Sequence, residues 1–339
     1  MIFVYILIGI ILGYLVFGFM FAVNYHKNMF GKRWIPDGIT KYYTAEEFGL
    51  NKESVSFYRK KVLLRGYIYS YDYEEYKGVF VFSHGMWSSH KSYLQEIEKL
   101  AKAGYLVLGF DYHGTDLSDG NNVRALSESL VSLDYALRYA KEKFANYNIY
   151  VMGHSWGGFA ASNIAKYHPD IKAVVAMAPF ISVADLVKSF IPKKLWIFIP
   201  FMLVMEFIKS GSYAFANSIK VLNKTKSRTL ILHSKDDFMV KYDYHTKKLI
   251  DRCKNNHVQY LILDNKKHNP DYTEDAVNYM LSVNKELKTM TDENAKLEFR
   301  KSWDYKRMGK LDEEVISEIL KFIGKGEWNY EQTKSGTFT

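Results

Sequence analysis

The sequence contains one cysteine, Cys253, among its 339 residues. A single cysteine cannot form an internal disulfide, and it leaves the redox compartment of the protein open. The ten histidines are spread along the chain, without the cysteine or paired-acid companions that a metal site requires. The sequence therefore predicts neither a metal ion nor another cofactor.

Clustered basic segments are also missing, although basic residues are in excess. Lys and Arg number 46 against 37 Asp and Glu, for a formal net charge of +9. The lysines are scattered among acidic and aromatic residues, so a nucleic-acid partner is not expected and an anionic membrane surface suits the excess better. Apolar residues make up 48% of the chain, which excludes general disorder.

Residues 1–23 form an apolar stretch without a charged side chain, long enough to cross a bilayer as a helix. Its start lacks the basic residues and the small-x-small site of a cleaved signal peptide. Four basic side chains follow it: His26, Lys27, Lys32 and Arg33. Positive charge on this flank alone favours a cytoplasmic catalytic domain. We therefore expect an uncleaved single-pass anchor in the cell membrane, the alternative being a buried N-terminal helix.

Short apolar runs alternate with helical patterns along the rest of the chain. The predicted strands cover residues 54–71 (two strands, broken around Lys60 and Lys61), 78–83, 105–110, 149–152, 171–178, 228–233 and 257–263. Helical spacing occupies residues 89–103 and 122–144. This alternation predicts an α/β fold with a mostly parallel central sheet and helices on both faces. In such sheets ligands bind beyond the carboxyl ends of the strands.

The most informative stretch is residues 148–163, which reads NIYVMGHSWGGFAASN. A short apolar run leads into G-x-S-x-G, and a helical segment of small residues follows. In this strand–turn–helix context the serine is held in a strained conformation that exposes its hydroxyl, and the glycines avoid collisions. The pattern predicts Ser155 as a nucleophile rather than an ordinary serine in a glycine-rich turn.

A serine nucleophile needs a base, and the base needs a partner that fixes its tautomer. Two adjacent acids, Asp236 and Asp237, follow the strand at 228–233, and His268 follows the last strand. His268 lies in the loop where a base is needed. His245 and His257, within a predicted helix and at a strand start, are expected to be surface or satisfied histidines.

Together these motifs resemble those of α/β-hydrolase-fold serine hydrolases, the class that includes esterases, monoacylglycerol lipases and serine peptidases. The resemblance covers about residues 54–267 and the closing helix, and rests on G-H-S-W-G-G, S-H-G-M, D-Y-H-G-T-D-L-S-D-G, L-H-S-K-D-D-F-M-V and K-H-N-P. It implies a Ser155–Asp237–His268 triad, because the family loop H-G-x-x-D-x-x-V places the acid on Asp237. Asp236 is the alternative.

The resemblance also implies an oxyanion hole made by two backbone N–H groups. One comes from Trp156, the residue after the serine, and the other by analogy from Met86. His84 is expected to brace the Met86 loop. The loop at 111–120 departs from the family pattern D-Y-R-G-x-G-x-S-D-G, since His113 replaces the arginine and Asp116 the second glycine, which puts the local shape of that loop in doubt.

A long insertion, residues 181–226, occupies the position where this fold carries a cap. Its centre, residues 195–205, is almost wholly apolar, too short to span a bilayer and broken by Pro200. It is either an acyl-binding lid at the membrane surface, with Lys193 and Lys194 at the headgroups, or a helix buried over the site. In the first case Trp196 and Phe198 help to form an apolar path to Ser155.

The sequence thus predicts three regions: an anchor at 1–24, a juxtamembrane connector at 25–52, and a hydrolase domain at 53–339. The domain includes the cap, a solvated helical insertion at 271–309, a closing helix at 312–323 and a loose polar tail after Gly324. The expected function is cleavage of a carboxylic ester or thioester, including lipid acyl esters. A serine peptidase and a non-catalytic anchored binding protein are the alternatives, although no acidic amine-binding pair is recognisable in the cap. The sequence predicts no particular oligomeric state.

Overall fold

A computed structural model describes residues 1–324, so the predicted loose tail after Gly324 lies outside the described residues. Eight strands form one sheet: β1 (Asn51–Arg59), β2 (Val62–Ser70), β3 (Val79–Ser83), β4 (Leu106–Phe110), β5 (Ile149–His154), β6 (Ala173–Met177), β7 (Arg228–Ser234) and β8 (Val258–Leu263). Their order is β1-β2-β4-β3-β5-β6-β7-β8. The pairs of β1 with β2 and of β2 with β4 are antiparallel, and all other pairs are parallel. The predicted α/β architecture is confirmed.

The helices are α1 (Ile2–Phe30), α2 (Ala45–Phe48), α3 (Leu94–Lys102), α4 (Glu128–Lys143), α5 (Trp156–Asn163), α6 (Val183–Phe190), α7 (Ile199–Ser210), α8 (Ser218–Leu222), α9 (Thr246–Arg252), α10 (Glu274–Thr289), α11 (Glu293–Lys301), α12 (Tyr305–Met308) and α13 (Glu313–Gly324). Short 3₁₀ helices add His90–Tyr93, Ile164–Lys166, Lys193–Phe198, Gly211–Phe215 and Tyr242–Tyr244.

Both faces of the sheet are buried, which explains why its inner strands are apolar throughout rather than alternating. In β3, Val79 and Val81 point into one core, which includes residues of α4 and α5. Phe80 and Phe82 point into the other core, which includes residues of α3 and α13. The helices therefore cover two opposite faces, as the alternation of strands and helices predicted.

The helix predicted at residues 122–144 begins six residues later, at Glu128, so its predicted start is wrong. Residues 122–127 bond elsewhere: the Val123 N–H donates to Phe30 O at 3.0 Å. The Leu126 and Ser127 N–H groups donate to the carboxylate of Glu206 at 2.8 and 3.0 Å. Because the carboxylate that accepts these N–H groups belongs to a helix far away in sequence, local spacing could not reveal where α4 begins.

The N-terminal helix α1 extends past the predicted anchor to Phe30. Its first part is exposed, whereas Gly18, Ala22, His26 and Phe30 are buried. These positions recur every four residues and therefore lie on one face, which packs against the rest of the protein. The division into an anchor at 1–24 and a connector at 25–52 stays a prediction.

Two stretches of the described chain are long and apolar enough to cross a membrane, Ile2–Phe30 and Lys193–Leu222. The second is not one continuous helix, because it is divided among α7, α8 and two 3₁₀ helices of the cap. Pro200 lies in the first turn of α7, where proline is tolerated. It therefore starts this helix and does not break it, in contrast to the sequence-based prediction.

Candidate active site

Ser155 occupies the sharp turn between β5 and α5. Its backbone has φ 56° and ψ −110°, a conformation that non-glycine residues rarely adopt. The Ser155 N–H donates to Met177 O at the end of β6, at 2.8 Å, and its carbonyl accepts from the Phe159 N–H within α5, at 2.9 Å. The strained turn is thus tied to both a neighbouring strand and the following helix.

The glycines around Ser155 allow α5 to approach the sheet. A Cβ atom on Gly157 would collide with the backbone carbonyl of Ser83 at the end of β3. A Cβ atom on Gly153 would lie 2.5 Å from the carbonyl oxygen of Gly157 itself. Side chains at either position would therefore push the helix away from the strands and displace the turn.

The structure brings Ser155, His268 and Asp237 into one hydrogen-bonded chain. His268 Nε2 lies 2.8 Å from Ser155 Oγ, and His268 Nδ1 lies 2.8 Å from Asp237 Oδ2. Asp237 follows β7 and His268 follows β8, so all three side chains meet at the carboxyl edge of the parallel strands. This is the order of contacts by which a serine hydroxyl is activated.

Asp237 is held as a buried carboxylate by donors on both of its oxygens. Oδ1 accepts from the Met239 and Val240 N–H groups at 2.8 and 2.9 Å. Oδ2 lies 3.1 Å from His233 Nε2 as well as beside His268. Burial would raise the pKa of Asp237, but the hydrogen bonds from the two imidazoles outweigh it and hold this pKa well below its usual range. The carboxylate therefore stays charged beside His268.

Asp236 faces away from His268 and joins the two loops that carry the acid and the base. Its Oδ1 accepts from Ser234 Oγ at 2.5 Å and from the Lys267 N–H at 3.0 Å, and its Oδ2 lies 2.8 Å from Lys267 Nζ. Of the two adjacent aspartates, Asp237 is the one in contact with the histidine.

The two other candidate histidines lie elsewhere. His245 is fully buried before α9, where its Nδ1 accepts from the Ile181 N–H at 3.4 Å. His257 precedes β8 on the exposed side of the molecule. Neither contacts Ser155.

The two residues predicted to form the oxyanion hole lie on different segments: Met86 is in the loop after β3, and Trp156 is the first residue of α5, directly after Ser155. Trp156 is buried, and its indole N–H donates to Leu126 O. Among residues 1–324, neither the Met86 nor the Trp156 backbone N–H donates to a protein acceptor. Two such donors can stabilise the negative charge that develops on a carbonyl oxygen during acyl transfer.

His84 supports the Met86 loop through its ring. Its Nδ1–H donates to Gly85 O at 2.7 Å, its Nε2 accepts from the Tyr112 N–H at 3.4 Å, and the ring stacks on Tyr112 with centroids 3.8 Å apart. Burial lowers the pKa of His84 to about 4, so the neutral ring can make both bonds. These contacts connect the Met86 loop to the loop after β4.

Sequence reasoning missed a buried bridge between the Met86 loop and the His268 loop. His154 Nε2 lies 2.7 Å from His268 O. Because a carbonyl only accepts, Nε2 carries the proton and Nδ1 accepts from the Tyr93 hydroxyl at 2.9 Å. The Tyr93 oxygen in turn accepts from the Gly85 N–H at 3.1 Å. His154 is the variable residue before the serine in G-x-S-x-G, so its position was visible, but its partners are 61 and 114 residues away.

The loop at 111–120, whose sequence differs from the family pattern, is held by an arginine from another segment of the chain. The guanidinium of Arg33 donates to the carbonyl oxygens of Ser118, at 2.6 Å, and Gly120, at 3.0 Å, and to that of Asp116. His113, which replaces the family's arginine, is buried, and burial lowers its pKa to about 4. The segment after α1 therefore stabilises a loop of the catalytic region.

The sheet order, the strained serine turn and the position of its partner loops define the α/β-hydrolase fold, and the protein has this fold. The sequence model of the family described as "Serine aminopeptidase, S33" matches residues 74–212, which is less than half of the chain. Esterases and peptidases of the α/β-hydrolase fold are thus the proteins to which it is similar.

Individual relatives give the same picture. Cutinase Est1 of Thermobifida alba is 31% identical over 87 residues, which cover 24% of this chain and 28% of the cutinase; the chain thus spans about a quarter of the length of that relative. An esterase of Pyrococcus furiosus superposes with a TM-score of 0.54 at 20% identity, covering 80% of this chain and 98% of the esterase. Est1E of Butyrivibrio proteoclasticus, solved with ferulic acid, has a TM-score of 0.50 at 19% identity, covering 67% and 98%. At these identities the structural matches show the fold alone.

Proposed function

We propose that the protein is a membrane-anchored serine hydrolase that cleaves a carboxylic ester or thioester through an acyl-enzyme intermediate. The observation that carries this proposal is the chain of two 2.8 Å contacts from Ser155 through His268 to Asp237. The sequence similarity to a cutinase supports ester chemistry.

In the proposed reaction, Ser155 Oγ attacks the carbonyl carbon of the substrate while His268 Nε2 takes its proton. Asp237 orients the imidazole and stabilises its positive charge. The Met86 and Trp156 N–H groups donate to the oxyanion. The leaving alcohol or thiol then takes the proton from His268, and a water activated by the same histidine hydrolyses the acyl-enzyme and restores Ser155.

The membrane part of the proposal is supported by α1, whose residues up to Phe17 are exposed and almost wholly apolar. An exposed helix of this composition is stable in a bilayer and not in water. The basic residues that follow favour an anchor in the cell membrane with the catalytic domain on its cytoplasmic side. An enzyme held in this way would meet substrates that dissolve in the membrane, so esters with lipid acyl chains fit best.

Fluorophosphonate labelling of the full-length protein and of a Ser155→Ala variant tests the chemistry. We expect the parent protein to be labelled and to hydrolyse p-nitrophenyl esters. Because the variant loses only one hydroxyl from a half-buried side chain, it should fold normally while labelling disappears and hydrolysis falls by several orders of magnitude. Equal hydrolysis by the two proteins would contradict the triad, and absence of labelling in both would favour a binding protein.

A serine peptidase is the second candidate, because the matching family is described as a serine aminopeptidase family. An aminopeptidase needs an acidic group for the substrate's amino terminus. The cap contains two acids: Glu206 is buried and accepts three hydrogen bonds from residues 126 and 127, and Asp185 bonds Ser182 at the start of α6. The carboxylate of Glu206 is thus fully engaged within the protein and cannot bind a substrate amine, which supports the ester substrate. Release of p-nitroaniline from aminoacyl anilides at rates above ester hydrolysis would reverse this preference.

A further inference from the structure

The anchor helix α1 does not lead away from the enzyme as a free tether. The Tyr14 hydroxyl donates to Ile197 O in the cap at 2.6 Å. The rings of Phe17 and Phe21 lie 5.4 and 5.3 Å from the ring of Phe198. The 3₁₀ segment Lys193–Phe198 therefore runs beside residues 14–21 of the anchor helix.

A glycine allows the closest part of this contact. Gly18 faces Phe201 at the start of α7, and a Cβ atom at position 18 would collide with that ring. By contrast, a Cβ atom at Gly9 or Gly13 would meet nothing within 4 Å. One glycine of α1 thus serves the contact with the cap, whereas the other two lie on the free part of the helix.

The position of this contact along α1 determines how deep the cap lies. A helix rises about 1.5 Å per residue, and the hydrocarbon core is about 30 Å thick, so about 20 residues cross it. If the crossing begins at the first residues of α1, it ends near Ala22. Tyr14 and Phe17 are then roughly 8–12 Å inside the hydrocarbon boundary, and the cap residues in contact with them must lie at the same depth.

We propose that the cap is inserted into the membrane leaflet beside α1, at acyl-chain depth, and does not merely rest on the membrane surface. This inference rests on the anchoring part of the proposed function, and it names the lipid leaflet as the partner of the cap. The cap surface in question consists of Phe190, Ile197, Val204, Phe207, Ile208 and Phe215.

The cap surface has the composition that lipid requires. Its six side chains are each between 47% and 59% exposed, and the rings of Phe207 and Phe215 lie 5.7 Å apart. Large apolar side chains exposed close together mark a surface that contacts another apolar phase. On α7, Val204, Phe207 and Ile208 point outward, while Met202 and Met205 are buried in the core. The outward side of α7 can therefore contact the acyl chains of lipids.

The one charged side chain in residues 195–208, Glu206, is withdrawn from this surface. It is 1% exposed, and its carboxylate accepts from the Leu126 N–H, the Ser127 N–H and the Ser127 hydroxyl. Lysines flank the apolar stretch in sequence: Lys188, Lys193, Lys194 and Lys209. Long basic side chains at the edges of an inserted segment can reach the headgroups.

Depth-dependent fluorescence quenching tests the insertion. In a Cys253→Ser background, an environment-sensitive fluorophore is attached at Ile197→Cys or, independently, at Ile208→Cys. The full-length protein is placed in vesicles of phosphatidylcholine and phosphatidylglycerol whose acyl chains carry bromine. Ile6→Cys on the free part of α1 reports the anchor, and Glu286→Cys on the exposed side of α10 reports the aqueous phase. Fluorophosphonate labelling of each variant reports folding.

If the cap is inserted, the labels at positions 197 and 208 are quenched, as the label at position 6 is, and the label at 286 is not. Gly18→Leu, which separates α1 from the cap, should reduce quenching at position 197, whereas its matched control Gly13→Leu should not. Quenching at position 6 without quenching at 197 and 208 would overturn the inference and leave the anchor in place. If no label is quenched, both the membrane anchor and the insertion of the cap are contradicted, whereas the proposed hydrolysis by Ser155 is unaffected.

Discussion

Each residue of the proposed triad is held by hydrogen bonds besides those within the triad. Ser155 is tied to the end of β6, and Asp237 accepts from two backbone N–H groups and from His233. The backbone of His268 is held through its carbonyl by His154. Such outer contacts limit the motion of the reacting groups before substrate binds, which is the condition for oriented proton transfer.

The adjacent aspartates can be separated by paired substitutions. Asp237→Asn leaves His268 without a carboxylate to orient it, and hydrolysis should slow about ten-thousandfold, as in the serine-protease template. Asp236→Asn affects only the contacts with Ser234 and Lys267, and hydrolysis should slow much less. Rates with p-nitrophenyl butyrate, together with a thermal unfolding midpoint for each variant, distinguish a catalytic from a structural loss. A larger loss in Asp236→Asn would move the acid to Asp236.

The bridge of His154 and Tyr93 predicts a positioning role. Tyr93→Phe keeps the ring but removes the oxygen that joins Gly85 to His154, so kcat should fall up to about tenfold, the size of one net hydrogen bond, with KM little changed. His154→Gln retains a donor toward His268 O and should keep more activity than His154→Phe. Equal activities for the two His154 variants, or an effect confined to unfolding temperature, would assign the bridge a purely structural role.

The residues of the site differ in how far sequence could predict them. Ser155, Asp237 and His268 stand in short motifs after strands, so each could be selected locally. The roles of Tyr93, His154 and Arg33 arise only when segments far apart in sequence meet in the fold. The exclusion of Asp236 from the histidine likewise depends on the direction in which two adjacent side chains point, which no spacing specifies.

At the scale of elements, the cap is joined to the catalytic body through Glu206. Its carboxylate receives the N–H groups that precede α4, where the positive end of that helix dipole also favours negative charge. His26 of α1 lies 3.6 Å from the same carboxylate. One buried side chain thus joins the anchor helix, the cap and a helix that packs on the sheet.

Replacing this carboxylate should loosen the junction measurably. Glu206→Gln keeps the shape but turns one acceptor oxygen into a donor that faces another N–H, so the free energy of unfolding should fall by about 1–3 kcal/mol. Thermal unfolding of the full-length protein in detergent micelles gives the measurement. Glu286→Gln, an exposed change on α10, is the control and should stay within about 0.5 kcal/mol of the parent. Equal stability of both variants would argue against the junction.

The elements were predictable where their signal was local. Apolar runs predicted every parallel strand within a few residues, because β3 to β7 are buried on both faces and the half-buried edge strand β8 is still mostly apolar. The apolar cap sequence did not reveal which side chains face which neighbour. The sequence suggested Phe198 as part of an acyl path, but this residue packs against Tyr14, Phe17 and Phe21 of α1. A substitution of Phe198 is therefore expected to disturb the contact with α1 and not to act on acyl selectivity directly.

At the scale of the whole molecule, α1 and the segment after it are continuous with the hydrolase. The face from Gly18 to Phe30 is buried, Arg33 holds the loop after β4, and Trp34 pairs with Thr115. The composition of residues 1–23 predicted an anchor but could not reveal this docking, since an apolar helix shows no preferred face until it meets a partner. The proposed anchor thus also fixes the orientation of the enzyme relative to the membrane.

This orientation predicts a preference for substrates that partition into lipid. We expect kcat/KM of the full-length protein in phosphatidylcholine vesicles to rise from p-nitrophenyl acetate to medium and long acyl chains. Burial of one methylene contributes up to about 0.8 kcal/mol, so the rise can reach about fourfold per methylene until the acyl site is filled. Ser155→Ala measured in parallel removes background hydrolysis, and the same series in detergent micelles separates selectivity of the site from partitioning into vesicles. A profile that is flat in both media would mean that neither the site nor the membrane contributes to acyl selection, and a short-chain esterase would then be the better assignment.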